Sequence, residues 1–480
     1  MIQRSIHLLI PLFAGTCLLL GSCRVPAVFE RPAMELPTGS PEQGDKVANS
    51  PVGTGWWRIF HDPVLERLEE QALACNRDLI RAAALVDRAA AMSAETGASL
   101  APQAGFQAGA KKQELTQGQS YSQNLSYRGR DVWEMSGILS YEVDLWGKLR
   151  SRSEAANAEL LASAEARDAV FLRLTGEVAS AYIDVRTWEE KCRIIKNVHA
   201  SYEQTCSMYE KRFQQGQYPE LALRRVQAER SKTLAQLHLA ENELSRAESV
   251  LAVLVGDSPR KIMKGSSRRG GNPSLLSSPP SIPSNIPSDV IERRPDICEL
   301  ESRLKSAFYG KEAAKADRLP SLMLTGSMGQ LSTDLNRLLN QPSRLFDAGG
   351  SVMQTLFDGG RKRAVVQMAE ADYAATEAAY EQAVLNAFRE IRDALVERRK
   401  SAEIYESTRN EVEYLRRSWD IASKQYEAGY VGLMDTLDTH RNLLSGELDM
   451  ADASRMRLNA IVKFCKALGG GWKRPAEKRP

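Results

Sequence analysis

The chain carries one unit twice. Gly147-Lys148-Leu149-Arg150 and Gly360-Arg361-Lys362-Arg363 lie 213 residues apart. The same interval separates Phe213-Gln214-Gln215-Gly216 from Tyr426-Glu427-Ala428-Gly429, and Val255-Gly256 from Leu468-Gly469. Three landmarks in one register are hard to obtain by chance, so each half must solve the same folding problem. Upstream the register slips, since Pro102 pairs with Pro320 and one repeat has a longer loop. A Ser/Pro/Gly-rich stretch at 264–288, without apolar periodicity, joins the halves as a linker.

Within each unit the pattern predicts helix, β-hairpin, very long helix, turn, helix. In the first copy Val64 to about Ser99 has helical spacing and stops at Pro102. The segment that follows is Gly-, Gln- and Ser-rich. The return segment alternates, with Trp133, Met135, Gly137, Leu139, Tyr141 and Val143 on one face. Val132, Glu134, Ser136, Ile138, Ser140 and Glu142 fall on the other. Period-two alternation with aromatics near the ends fits one strand of a transmembrane barrel, and equally a half-buried strand of a soluble sheet. The second copy alternates more weakly, at Leu322, Leu324, Gly326 and Met328 and again over 346–356.

After each hairpin comes a coiled-coil element. Leu174, Ala181, Trp188, Ile195, Tyr202 and Tyr209 recur every seven residues, with a second seam at Val178, Val185, Cys192, His199, Cys206 and Phe213. Val412, Leu415, Trp419, Ala422 and Tyr426 repeat the spacing in the second copy. A helix over about 147–215 would be roughly 100 Å long, well beyond a globular diameter. His199 and Cys206 are thereby explained as seam residues.

Cys23 closes an apolar N-terminal run, in Leu20-Gly21-Ser22-Cys23. Arg4 supplies a positive start and small residues precede the cysteine, which is the layout of a cleavable secretory signal. A cysteine at that point resembles a bacterial lipobox. That likeness makes Cys23 the first residue of the mature chain, bearing diacylglycerol and N-acyl lipid. The run is shorter than the about 20 apolar residues of a spanning helix.

Composition narrows the function. Lys+Arg 64 against Asp+Glu 61 is close to neutral and gives no electrostatic case for nucleic acid. With five His in the chain, no H-E-x-x-H, G-x-S-x-G or phosphate-cradling G-x-x-x-x-G-K-[ST] occurs, so an enzyme is not expected. Asp438 and His440, two apart on a helix, do not face each other. Cys75, Cys192, Cys206, Cys298 and Cys465 lack metal-ligand spacing and are expected to be small core residues. Neither a metal site nor a cofactor other than the covalent lipid on Cys23 is expected.

Four stretches carry a family resemblance. They are Trp56-Trp57-Arg58-Ile59-Phe60-His61-Asp62-Pro63-Val64-Leu65, Tyr141-Glu142-Val143-Asp144-Leu145-Trp146-Gly147-Lys148, Ile291-Glu292-Arg293-Arg294-Pro295-Asp296-Ile297 and Leu356-Phe357-Asp358-Gly359-Gly360-Arg361. In this order they resemble the TolC-like outer-membrane factors, most closely the lipoprotein branch serving RND-type efflux systems. The resemblance implies a mainly α fold with a membrane β-barrel. Long coiled-coil helices would form a periplasmic tunnel, and four strands per chain would enter a shared trimeric twelve-stranded barrel. Four strands cannot close alone, and lipid tolerates no open edge, so several chains must share one barrel. The residues allow eight strands or twelve; the resemblance selects three chains. The implied partners are a homotrimer, a periplasmic adaptor (membrane fusion) protein, an inner-membrane RND-type transporter and outer-membrane lipid, with no nucleic acid. The implied function is that of a passive exit duct, the alternative being a non-channel coiled-coil envelope scaffold. Its cargo is not legible in the chain.

The expected organisation is a signal peptide at 1–22, a lipidated extension at 23–63, a first repeat at 64–263, the linker at 264–288, a second repeat at 289–471 and a basic tail at 472–480. The hairpins are expected at about 102–143 and 320–357, with Lys111, Lys112, Arg128 and Arg130 in an extracellular loop or at solvated strand ends. The tips are expected at about 216–219 and 429–432. Gly216 and Gly429 each follow a long heptad run, as left-handed helix stops do. With Gln217, Tyr430 and Gly432 they are the candidate adaptor-docking residues. Asp435 and Asp438, three apart, share one helix face past the second tip. This stretch resembles the family segment that forms a periplasmic constriction. Arg441 is placed to brace it by pairing with Asp438. Ala222 and Arg225 occupy the equivalent positions of the first copy, so only the second copy supplies acid.

Overall fold

The computed structural model describes residues 28–32, 55–113, 130–264, 293–339 and 344–471. Cys23, nearly all of the linker, the tail and the Arg128 part of the first loop lie outside them. Eight helices are used below: α1 (Pro63–Cys75), α2 (Arg77–Ala98), α3 (Lys148–Gln214), α4 (Glu220–Leu254), α5 (Pro259–Lys264), α6 (Pro295–Ala316), α7 (Arg361–Glu427) and α8 (Leu433–Ala467). Four strands accompany them: β1 (Gln103–Gln113), β2 (Arg130–Val143), β3 (Ser321–Ser332) and β4 (Arg344–Met353). The duplication is visible in the element lengths. Both α3 and α7 have 67 residues and both α4 and α8 have 35.

The chain divides into two compact units. The first comprises Met1–Ala33, Asp87–Ala162 and Glu301–Ala379. Its centre is an antiparallel sheet of order β1-β2-β3-β4. The same device starts both long helices. Asp144 accepts the N–H groups of Leu149 and Arg150 at 3.0 Å, and Asp358 accepts those of Gly360 and Lys362 at 2.9 Å. Carboxylates here satisfy orphan donors and complement the helix dipole. Burial works to raise the Asp144 pKa, yet the N–H groups and the Arg150 guanidinium hold it below the usual range. Trp146 donates its indole N–H to the carbonyl of Pro320 at 2.7 Å, locking the end of the first hairpin to the start of the second. The N-terminal strap lies on α6, where the Arg31 guanidinium forks onto Glu301 at 3.0 and 2.7 Å and Phe29 meets Phe308 edge-on.

The second unit comprises Met34–Val86, Ser163–Leu300 and Tyr380–Pro480. Its core explains the tryptophan pair near the N-terminus. Trp56, Trp57 and Phe60, in a 3-10 turn, are buried with Leu174, Val178 and Tyr182 of α3, Leu251 of α4, and Leu458, Ile461 and Cys465 of α8. Each indole removes about 200 Å² of surface from water, worth at most about 5 kcal/mol. Polar ends are also satisfied: the Trp56 indole N–H donates to Thr175 Oγ1 at 3.2 Å. Asp62 caps α1 by accepting from the Val64 N–H at 2.8 Å, and its second oxygen accepts from the Tyr182 hydroxyl at 2.8 Å.

Three expectations are corrected. The helix expected from Val64 to about Ser99 is two helices, because Asn76 adopts an extended backbone. Its Oδ1 accepts from the Asp78 and Leu79 N–H groups, and its Nδ2 donates to the Leu254 carbonyl. A short amide that bonds its own backbone competes with helix continuation. Among the cysteines, Cys206, Cys298 and Cys465 are buried and Cys192 is half-buried, but Cys75, the last residue of α1, is exposed. Along the seam, Leu174, Ala181, Ile195, Tyr202, Tyr209, Val178, Val185 and Cys206 are buried, whereas Phe213 is exposed. It lies in the last turn of α3, just before the chain turns away at Gly216.

Candidate transport surfaces

The strand registers build a sheet with two unlike faces. Phe106, Gly137, Met328 and Phe346 stand directly opposite one another across all four strands. Tyr141 faces Leu324, Leu139 faces Ala104 and Gly326, and Val143 faces Leu322, which in turn faces Val352. Since side chains alternate, these rows share one face, and it is apolar except at one end of the sheet, where Lys112, Asp131, Gln330, Ser332 and Arg344 lie. The other face holds Gln103, Gln107, Lys111, Glu134, Ser136, Ser140, Glu142, Thr325, Ser327 and Asp347, with a few apolar residues among them. On the apolar face Phe106 is 71% exposed, Met328 73% and Phe346 77%. An apolar patch on this scale marks a lipid or protein contact. β1 and β4 are edge strands in the chain, each with a row of unpaired backbone groups. Among the described residues, no helix is long and apolar enough to cross a membrane.

Sequence periodicity marks β2 directly, whereas β1 lies within the hairpin expected at about 102–143 without a strong alternation of its own. The alternating apolar set of β1 is Ala104, Phe106, Ala108 and Ala110, interleaved with Gly105 and Gly109, so only Phe106 gives a strong signal. Lys111 and Lys112 belong to the end of β1 itself.

The second surface is the pair of tips. Gly216 has φ +71 and Gly429 has φ +78, the left-handed conformation that ends a helix. Gln217 N–H donates to the Arg212 carbonyl at 2.9 Å, and Tyr430 N–H to the Gln425 carbonyl at 2.8 Å, in the same repeat register. Those 6→1 bonds satisfy carbonyls that a helix end leaves orphaned. Chain direction then reverses into α4 and α8. Pro219 stands at the N-cap of α4 and Gly432 at that of α8.

Beyond the second tip, Asp435 and Asp438 are exposed on one side of α8, while Thr436, Leu437 and His440 are buried on the other. Asp435 accepts from the Gly432 N–H at 3.3 Å, so it also caps the helix. The Arg441 guanidinium pairs with Asp438 and reaches Glu229 of α4 at 3.3 Å. Sequence spacing finds the first of these pairs. Glu229, 212 residues away, carries no local signal. Ala222 is partly covered and Arg225 exposed at the equivalent places in the first copy.

A tyrosine cluster ties the two copies near the tips. The Tyr209 and Tyr426 hydroxyls share a hydrogen bond, Tyr218 packs on Tyr209 at 4.9 Å between centroids, and the Arg212 guanidinium donates to the Tyr218 hydroxyl at 2.9 Å. Burial, with neighbouring tyrosine hydroxyls, pushes the Tyr426 pKa well up, so these contacts are between neutral phenols at ordinary pH. Heptad spacing places Tyr209 and Tyr426 on seams but does not disclose that they bond to each other.

The family description "Outer membrane efflux protein" matches residues 68–257 and 286–470, one block in each repeat. The probable outer membrane lipoprotein SilC of Salmonella typhimurium is 29% identical over 463 residues, covering 95% of this chain and 97% of its own. The pyoverdine export outer membrane protein OpmQ of Pseudomonas putida is 31% identical, covering 88% and 89%. Among solved structures, the Campylobacter jejuni CmeC outer membrane channel superposes with a TM-score of 0.84 at 26% identity, over 92% of this chain and 95% of that one. A duplicated helical chain with one four-stranded, two-faced sheet is the fold of that channel, and the chain belongs to the outer membrane efflux protein family.

Proposed function

We propose that three copies of this chain close a twelve-stranded barrel in the outer membrane and form a passive exit duct for a tripartite efflux pump. The sheet carries this reading: its apolar face suits lipid, its polar face suits a water-filled lumen, and its two open edges call for neighbouring copies. The tips at Gly216-Gln217 and Gly429-Tyr430-Val431-Gly432 dock a periplasmic adaptor, which joins the duct to an inner-membrane RND-type transporter. Asp435 and Asp438 line the closed end. Three chains bring six carboxylates around one axis, a ring that favours cations and that multivalent cations plug. Cys23 bears the lipid, so the mature chain is anchored in the outer membrane and extends into the periplasm. Unchanged palmitate incorporation in Cys23→Ser would remove that element alone.

Planar-bilayer recording on purified full-length protein tests the duct. A channel gives discrete conductance steps from a species whose mass corresponds to three chains. A coiled-coil scaffold gives none. Absence of steps from correctly folded trimer overturns the reading.

A further inference from the structure

The turn of α8 that carries Asp438 also carries a residue that the duct reading leaves without a role. His440 is buried against rings from two other helices. Trp419 of α7 stacks on it at 4.1 Å between centroids with planes 14° apart, and Tyr202 of α3 meets it at 4.9 Å with planes tilted by 46°. Next to it, Arg441 reaches Glu229 of α4. One turn of α8 is thereby tied to α3, α4 and α7 together. We propose that His440 is a positioning residue for the gate: its ring, clamped by Trp419 and Tyr202, holds the Asp435–Asp438 face in the closed arrangement. This rests on the reading of those aspartates as the gate.

The repeat supports the assignment. At the repeat-equivalent site, His440 and Trp419 are replaced by Gln227 and Cys206 of the first copy and Tyr202 by Leu415 of the second, and Gln227 donates to Glu210. The clamp therefore occurs beside the acids of the second copy and is missing at the equivalent site beside the first tip.

The clamp requires a neutral ring. Burial drives the His440 pKa down to about 4. Charged groups on the packing helices are engaged with one another: Glu229 and Asp438 with Arg441, Asp420 with Lys424 and Arg417, and Arg416 with Glu447. On α3, Glu203 is exposed and His199 is bonded to Thr233. A released histidine titrates near 6.5, so below that pH the released state binds more protons than the clamped one. Clamping is complete above about pH 6.5, weakens as pH falls, and reaches its full loss below about pH 4.

The test uses full-length protein in planar bilayers, with His440→Ala, His440→Phe and the Asp435→Ala/Asp438→Ala double variant. Wild type should open at least about tenfold more often at pH 4.5 than at pH 6.5. H440F keeps a ring without a titratable nitrogen; it should stay closed at pH 7 and lose this rise, while any carboxylate contribution persists. H440A should show raised conductance and weakened multivalent-cation block at pH 7, although both aspartates remain. A wild-type pH response in H440F overturns the proposal. So does wild-type conductance and block in H440A when the double alanine variant departs from wild type. If H440A and the double variant both behave as wild type, the gate reading falls and this inference with it.

Discussion

The two tips have one backbone and two chemistries. Both end a 67-residue helix with a left-handed glycine and a 6→1 hydrogen bond, and both lead into a 35-residue helix. Over residues 211–228 the first tip has four cations, Lys211, Arg212, Arg224 and Arg225, against the single anion Glu220. Over the equivalent 424–441 the second has Lys424 and Arg441 against Glu427, Asp435 and Asp438. Turn geometry is therefore set by glycine and helix-end hydrogen bonding, which tolerate many neighbours. Charge is free to diverge, and it diverged where α8 meets the open end of the turn. A duplicated chain can keep a scaffold and assign a separate task to each copy.

The sharpest way to break this comparison is to make the second tip resemble the first. Asp435→Ala with Asp438→Arg puts the first copy's residues into α8 and turns six negative charges of a trimer into three positive ones. Block by multivalent cations should fall by an order of magnitude or more, and cation preference should give way to anion preference in bilayer recordings. The reciprocal Ala222→Asp/Arg225→Asp change should leave block within about twofold. If the reciprocal change alters block as strongly, the tips share the gate and the division of labour fails.

Next in size, bulky substitutions across Gln217–Pro219 or Tyr430–Gly432 should cut efflux several-fold in cells carrying the cognate pump while trimers still form. Equal losses at both tips would mean that the adaptor reads the shared backbone. A loss confined to one tip would mean that it reads the charge.

A smaller effect is expected at the tie between copies. Arg441→Gln removes the charge that pairs with Asp438 and Glu229, both at partly exposed positions, so stability should fall by no more than about 1 kcal/mol in a denaturant titration. Channel block should respond more than stability, because Asp438 loses its compensating charge. A stability loss of several kcal/mol with unchanged block would recast Arg441 as a structural residue.

These contrasts show what the sequence discloses. Features written locally are legible: the 213-residue register, heptad seams, the alternation of β2, the glycine stops and the Asp438–Arg441 spacing each involve residues within a few turns or an exact repeat. Features that depend on packing between distant segments are not. Glu229 on Arg441, Tyr209 on Tyr426 and the Trp419–His440–Tyr202 stack join residues far apart in the chain and have no periodic signature. Asn76 illustrates a third case, in which a residue acceptable inside a helix instead bonds its neighbours' N–H groups and splits it. β1 illustrates a fourth, since alanine and glycine fill the face of a strand without announcing it.

The smallest effect belongs to the shared turn and is the most exacting test of equivalence. A Cβ added at Gly216 or Gly429 would meet no atom within 4 Å, so Gly→Ala at either site carries no steric penalty from packing. The cost is conformational: φ of +71 and +78 lies in the left-handed region, which costs a β-carbon residue about 1–2 kcal/mol. Loss of glycine's freedom in the unfolded chain returns about 0.4–1 kcal/mol of that. Each variant should therefore lose roughly 1 kcal/mol, and the two losses should agree within about 0.5 kcal/mol by denaturant titration. Gly→Asn should cost less at both sites, because asparagine enters the left-handed region more readily. Two glycines with the same dihedral, the same hydrogen bond and the same open surroundings have no reason to differ in the single chain. Unequal losses in the assembled protein would thus locate a contact from a neighbouring copy at one tip only, and the copy that loses more would be the one held shut by its neighbours.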